Sequence, residues 1–223
     1  MKLKIGIFDS GIGGFTILNS LLKTRKDVEV FYLADTKRIP FGNNNFKEIR
    51  LIAKEICTFF VDKKIIGVLA TQTTVQSSYY EKAIIAKKEN TIIFQQECPE
   101  FVSEIEKEKL NLDKLNSLSD LYLRPLINKN IEELILGCSH YPLIYDFLRK
   151  KLDSNIKIID PSVALIKKFN ESFAITKTDR YESIFLENVK FFVTSERNEF
   201  SNKVKFWLGI NKEIRLVNLR SNV

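Results

Sequence analysis

What most constrains this chain is a recurring unit: a short apolar, β-branched run, a tip of glycine or polar residues, then a stretch of helical periodicity. Lys4-Ile5-Gly6-Ile7-Phe8 runs into Asp9-Ser10-Gly11-Ile12-Gly13-Gly14 and then a helix over Phe15–Lys23, whose Ile17, Leu18, Leu21 and Leu22 share a face. Val28–Leu33 ends in Ala34-Asp35-Thr36, and a helix over Phe46–Asp62 follows a turn-rich loop. Ile65–Leu69 ends in Ala70-Thr71-Gln72-Thr73-Thr74, with a helix from Val75 onward. Thr91–Phe94 is followed by Cys98-Pro99 and two helical stretches, Glu100–Leu110 and Leu110–Ile127. Leu134–Leu136 precedes a helix over Leu143–Leu152, and Ile156–Ile159 precedes one over Val163–Phe169. After a polar loop over Asn170–Leu186 come a strand at Val189–Val193, a helix at Glu199–Leu208 and a last strand at Ile214–Leu219. Strands that alternate with helices pair in parallel and are covered on both faces. The expected fold is therefore α/β, with parallel sheets and helices on both faces.

Two of the tips carry chemistry. Open α/β sheets place ligands at the carboxyl ends of their strands. At the first tip, three glycines of the 11–14 segment permit tight turning and a close backbone approach. A helix beginning there offers free N–H groups to an anion. The spacing fits neither the dinucleotide fingerprint nor a Walker loop, so a carboxylate suits it as well as a phosphate. The second tip, Gly137-Cys138-Ser139-His140-Tyr141-Pro142, delivers a thiol, a hydroxyl and the chain's only histidine in succession.

Composition narrows the function classes. At 223 residues and 44% hydrophobic, the chain can bury a substantial core. Its net charge of +7 comes from lysines scattered among glutamates, which reads as a solvated surface. No nucleic-acid-binding signature accompanies that charge, so a nucleic-acid partner ranks last. No apolar run reaches the length of a membrane span. Met1-Lys2-Leu3-Lys4 leads straight into a strand, so no signal peptide is expected. Cys57, Cys98 and Cys138 form neither a zinc spacing nor a disulfide framework, which suits a reducing, cytoplasmic setting. Cys57 falls within a periodic helical segment and reads as a small buried hydrophobe. No ligand cluster or cofactor loop is visible, so neither a metal nor an organic cofactor is expected.

The motifs together resemble glutamate racemase, of the aspartate/glutamate racemase family. IGIFDSGIGGFTIL resembles the family's first motif, and YLADTKRIPFG its second, with Phe41 where tyrosine is usual. LILGCSHYPLI resembles the second cysteine motif, with Ser139 where threonine is usual. GVLATQTTVQSSYY, ECPEFVSEIE and FFVTSERNEFSNKVKFWLG are similar to further family segments, in family order. The resemblance implies two similar parallel-sheet lobes, the first formed by residues 1–64 and 161–223 and the second by 65–160. It implies a cofactor-independent isomerase that interconverts L- and D-glutamate for peptidoglycan synthesis, and so serves cell-wall biogenesis and cell shape. It also implies Cys138 as an acid/base group beside His140, with Glu106 orienting that histidine and Asp9 assisting the other family cysteine. The positions around the substrate would be Asp9, Ser10, Phe41, Gly42, Ser139 and His140. Asp9 also reads as a cap of the glycine loop, Glu106 as part of a solvated helix face, and Cys98 as structural.

One departure stands out. The family's other cysteine motif, Ala-Cys-Asn-Thr, is not found. On one reading, Ala70-Thr71-Gln72-Thr73 is its degraded form. On the other, Ile65 already begins the second lobe, and several tens of residues carrying the first cysteine are missing from a truncated first lobe. The second is preferred, because VLATQTTVQSSYY matches the second-lobe segment better and ECPEF follows it at the expected distance. Racemisation without a cofactor needs acid/base groups on both faces of the planar intermediate, and a threonine hydroxyl is too weak an acid to serve. The alternative to a working racemase is thus a racemase-like protein that binds an amino acid or a partner without turnover. A shortened first lobe should leave a sheet edge or apolar face that a homodimer could cover.

Overall fold

The structure is a computed structural model and describes residues 2–38, 63–173 and 186–219. The helix expected over Phe46–Asp62, Cys57 within it, and Phe41 and Gly42 lie outside the described residues. The first sheet contains β1 (Leu3–Asp9), β2 (Val28–Ala34), β7 (Val189–Val193) and β8 (Ile214–Leu216), in the order β1-β2-β7-β8. The second contains β3 (Ile65–Ala70), β4 (Ile92–Glu97), β5 (Glu133–Leu136) and β6 (Lys157–Ile159), in the order β4-β3-β5-β6. Every pairing in both sheets is parallel. The fold is two parallel-sheet lobes with flanking helices, as expected.

The helices pack by the apolar faces their sequences carry. In the first lobe, α1 (Gly14–Thr24) inserts Phe15, Leu18, Leu21 and Leu22 under the sheet. Phe15 meets Tyr32, Phe191 and Phe200 in an aromatic cluster, with ring centroids 5.1 to 6.3 Å from Phe15. Such rings bury large area, and each pair adds about 0.5–1.5 kcal/mol beyond it. Phe200 belongs to α8 (Arg197–Leu208), so this cluster fixes where α8 lies. In the second lobe, Phe101 of α4 (Phe101–Ile105) packs edge-on against Tyr122 of α5 (Leu112–Ile127) and against Tyr141. The Tyr141 hydroxyl donates to the Cys98 carbonyl at 3.3 Å, which pins the turn after Cys138.

Five elements differ from expectation. The helix expected over Glu100–Leu110 ends at Ile105, because the buried Glu104 carboxylate accepts the Asn111 N–H at 3.1 Å and folds the intervening chain back. The helix from Val75 is two, α2 (Gln72–Ser77) and α3 (Tyr79–Ile85), divided at Ser78 with φ 55°. The helix expected at Val163 begins at Pro161, with Asp160 as N-cap accepting from Ser162 N at 2.8 Å, and runs on to Ser172 as α7. The last strand stops at Leu216 rather than Leu219. A short 3-10 turn at Tyr141–Ile144 precedes α6 (Tyr145–Arg149), where one helix over Leu143–Leu152 was expected. α7 leaves the second sheet and lies along α1, where Ser162 meets Ser20 at 2.6 Å and Asn170 donates to Thr24 at 3.1 Å.

Among the described residues β1 hydrogen-bonds only β2. Among these residues the glycine-tip strand forms an edge, with Phe8 59% exposed. β5, by contrast, is central and buried along its whole length. The two strand tips of interest therefore sit at the carboxyl ends of an edge strand and of a central strand.

Candidate active site

The site forms where the glycine loop of the first lobe meets the Cys138–His140 turn of the second. Asp9 ends β1, and its Oδ2 accepts the Gly11 N–H at 2.9 Å, which curls the loop. Tyr32, within the aromatic cluster, donates its hydroxyl to the Gly11 carbonyl at 2.9 Å and ties the loop to the core. Ser10 is half-buried at the bend. The glycines are required by proximity: a Cβ at Gly11 would overlap the Glu106 carboxylate, and one at Gly13 would lie 2.7 Å from the His140 ring. Thr16 closes the seam by donating to the Gly13 carbonyl at 2.9 Å and approaching the Ser139 carbonyl at 3.1 Å.

Cys138 and Ser139 are half-buried, while the His140 side chain is buried. His140 Nδ1 lies 3.8 Å from Cys138 Sγ, and Nε2 lies 2.7 Å from Glu106 Oε1. Glu106 stands at the end of α4 and holds further partners from the first lobe. Its Oε1 also accepts the Ile12 N–H at 3.1 Å, and its Oε2 lies 3.0 Å from Lys203 Nζ on α8. Lys203 is buried and also pairs with Glu199 at 2.8 Å.

The electrostatics follow from these contacts. Burial alone would discharge His140, but its hydrogen bonds to Cys138 and Glu106 hold its pKa up, to about 10. Burial likewise opposes charge on Glu106, yet the hydrogen bond and charge of His140, the Ile12 N–H and Lys203 lower its pKa to about 2. At neutral pH His140 is therefore an imidazolium, with one N–H directed at Glu106 and the other at the Cys138 sulfur. Cys98 is different. It is buried, and burial pushes its thiol well above the ordinary range. Its thiol donates to the Gln96 carbonyl at 3.5 Å. Thr71, the residue that one reading puts in place of a cysteine, is the N-cap of α2, accepting from Thr74 N at 3.4 Å.

Of the residues singled out from the sequence, Asp9, Ser10, Glu106, Cys138, Ser139 and His140 lie at this seam, and Phe41 and Gly42 lie outside the described residues. Lys203, Thr16 and the Ile12 amide were not singled out. The signal for Lys203 was available: Phe200, Lys203 and Val204 share the buried face of α8, so a lysine occupies a core register.

Comparison with known proteins agrees with this architecture. A glutamate racemase of Prochlorococcus marinus (strain NATL2A) is 38% identical, with 98% of each chain covered. One of Synechococcus sp. (strain CC9605) is 31% identical over 95% of this chain and 96% of its own. No family model matches the chain. Among solved structures, glutamate racemase isoform RacE1 of Bacillus anthracis superposes with a TM-score of 0.77 at 21% identity, covering 98% of each chain. The Francisella tularensis glutamate racemase, solved in complex with D-glutamate, gives 0.72 at 26%, covering 97% of each. The Prochlorococcus alignment spans 260 positions although this chain has 223 residues, so several tens of its positions have no counterpart here. Coverage is nearly end to end, which places that shortfall inside the chain.

Proposed function

Because this chain belongs to the glutamate racemase family, we propose that it exchanges the Cα proton of glutamate at Cys138 and interconverts L- and D-glutamate for peptidoglycan synthesis. The observation that carries this reading is the array Cys138–His140–Glu106 at the interlobe seam, with gaps of 3.8 and 2.7 Å. A thiol becomes a base when positive charge favours its thiolate, and His140 supplies that charge directly beside the sulfur. The thiolate would take the Cα proton, leaving a planar carbanion and a neutral thiol. An acid on the opposite face must then return a proton for inversion. The Gly11 and Ile12 N–H groups of the glycine loop are taken by Asp9 and Glu106, so the substrate shell we assign at this seam consists of the side chains of Asp9, Ser10, Ser139 and His140. The lobes we assign are 1–64 with 161–223, and 65–160. Phe41 and Gly42 belong to the proposed substrate shell by resemblance alone.

A second reading is favoured by a specific observation. The position of β3 in the same sheet as β5 supports assigning the Thr71 segment to the second lobe. The internal shortfall against the relatives then supports loss of the strand that carries the first cysteine. Of the two other thiols, Cys98 is buried and held protonated, and Cys57 lies outside the described residues. With one base, exchange survives and inversion fails. Incubation with L-glutamate in D₂O separates these outcomes. Deuterium at Cα with D-glutamate supports the racemase. Deuterium with retained configuration supports the one-base protein. No deuterium would overturn the catalytic reading and leave ligand binding without turnover.

The one-sided pairing of β1 among the described residues further supports a homodimer that covers this edge. Sedimentation equilibrium should give twice the chain mass, and a monomer at every concentration would refute it. No described helix is long and apolar enough to cross a membrane. The cytoplasmic assignment rests on the cysteine pattern.

A further inference from the structure

We propose that Lys203 is a positioning residue for this site: it holds the Glu106 carboxylate in the orientation that keeps the His140 imidazolium turned toward Cys138. The proposal rests on the reading of Cys138 as the acid/base group.

The geometry divides the carboxylate between two tasks. Oε1 takes His140 Nε2 at 2.7 Å and the Ile12 N–H at 3.1 Å. Oε2 takes Lys203 Nζ at 3.0 Å. A carboxylate held by only one oxygen can rotate about its terminal torsion, which is broad for glutamate. A cation on the second oxygen stops that rotation. Lys203 can do this because its own helix is anchored elsewhere, by Phe200 in the aromatic cluster one turn earlier. Next to it, Asn202 donates to Glu108 at 3.2 Å, so α8 grips the 106–108 segment at two points. The clamp therefore reaches from the first lobe into the proton-handling side chains of the second.

The charges act in the same direction. His140 faces Cys138, Glu106 and the carboxylate of Asp9, while Lys203 faces Glu106 and Glu199. Tyr32 and Tyr141 also lie near, both kept neutral by burial. Glu199 is 44% exposed, so solvent screens it more than it screens the half-buried carboxylate of Glu106, whose side chain is 22% exposed. Lys203 thus offsets the Glu106 charge that would otherwise be fully matched to His140. More of the imidazolium charge is left for the sulfur.

The single histidine makes the test direct. In ¹⁵N-labelled protein without substrate, the Nε2–H of His140 should appear as a protected, downfield cross-peak. The Lys203→Met variant should broaden it and reduce its protection from solvent exchange, because the carboxylate regains rotation. The same variant should slow alkylation of Cys138 at pH 7, followed by peptide mass mapping, by roughly three- to tenfold. Lys203→Arg should keep both signals close to wild type, since it preserves a cation on Oε2. If Lys203→Met does not fold, Lys203→Gln carries the same comparison. A cross-peak as sharp and as protected as in wild type, an alkylation rate within about twofold of wild type, or an Arg variant as impaired as Met would each overturn the proposal. None of these readouts uses turnover. Absence of Cα exchange in the wild type would refute the catalytic reading while these measurements still decide the role of Lys203.

Discussion

Cys138, His140 and Glu106 form a line in which each side chain sets the state of the next. The sulfur has a buried imidazolium beside it, and the imidazolium has a carboxylate beyond it. Replacing Cys138 by Ser leaves the shape but removes the polarisable, acidic centre. Cα exchange should fall by about a thousandfold or more, measured as deuterium uptake by NMR. Glu106→Gln keeps a neutral acceptor but removes the counter-charge. It should reduce stability by about 3 kcal/mol in urea unfolding at neutral pH, the order expected for breaking one side of a buried pair. The pH dependence has a definite sign. The Glu106 pKa is depressed to about 2, so its contribution is complete above the ordinary carboxylate value and is lost as pH falls toward 2. The His140 pKa is raised to about 10, so its contribution is complete below the ordinary imidazole value and is lost as pH rises through 10. Both limbs report one contact seen from its two ends. Wild-type unfolding free energy should peak between pH 4.5 and 6.5 and decline on either side. In Glu106→Gln both slopes should flatten, and slopes equal to wild type would show that the pair does not carry them.

At the scale of elements, the glycine loop is a contact surface as well as a turn. Gly13 faces Ser139 and His140 so closely that no side chain fits between them. Gly13→Ala should destabilise the protein by about 1–3 kcal/mol through overpacking, read as a lowered urea midpoint. Its larger effect should fall on Cα exchange, because the displaced neighbours are His140 and Ser139. A fall in exchange no larger than the loss of folded protein would contradict this. Elements were legible from the sequence where an apolar run was continuous and bounded. β2, β3 and β7 begin at the residues their hydrophobic patterns indicate. Ends were less legible, because single side-chain hydrogen bonds decide them rather than the hydrophobic period. α4 stops at Ile105 since Glu104 captures Asn111, and α7 starts at Pro161 since Asp160 caps it. The first is invisible to periodicity. The second is a capping signal carried openly by Asp160-Pro161-Ser162.

At the scale of the molecule, each lobe contributes what the other lacks. The second lobe carries thiol and imidazole on its central strand tip, and the first supplies the Ile12 amide, Lys203 and the glycine seam. Order along the chain alone was sufficient for the alternation of strand and helix, for parallel pairing, and for Cys138-Ser139-His140 at a strand end. These follow from local hydrophobic period and from the conformational freedom of glycine, both written in neighbouring residues. Folding in three dimensions was needed for the rest. Glu106 could equally have lain on a solvated helix face, and Lys203 was one lysine among many. Burying two opposite charges within hydrogen-bonding distance requires partners brought from 34 and 97 residues away. Such distances depend on how the lobes close against each other, which no local pattern encodes.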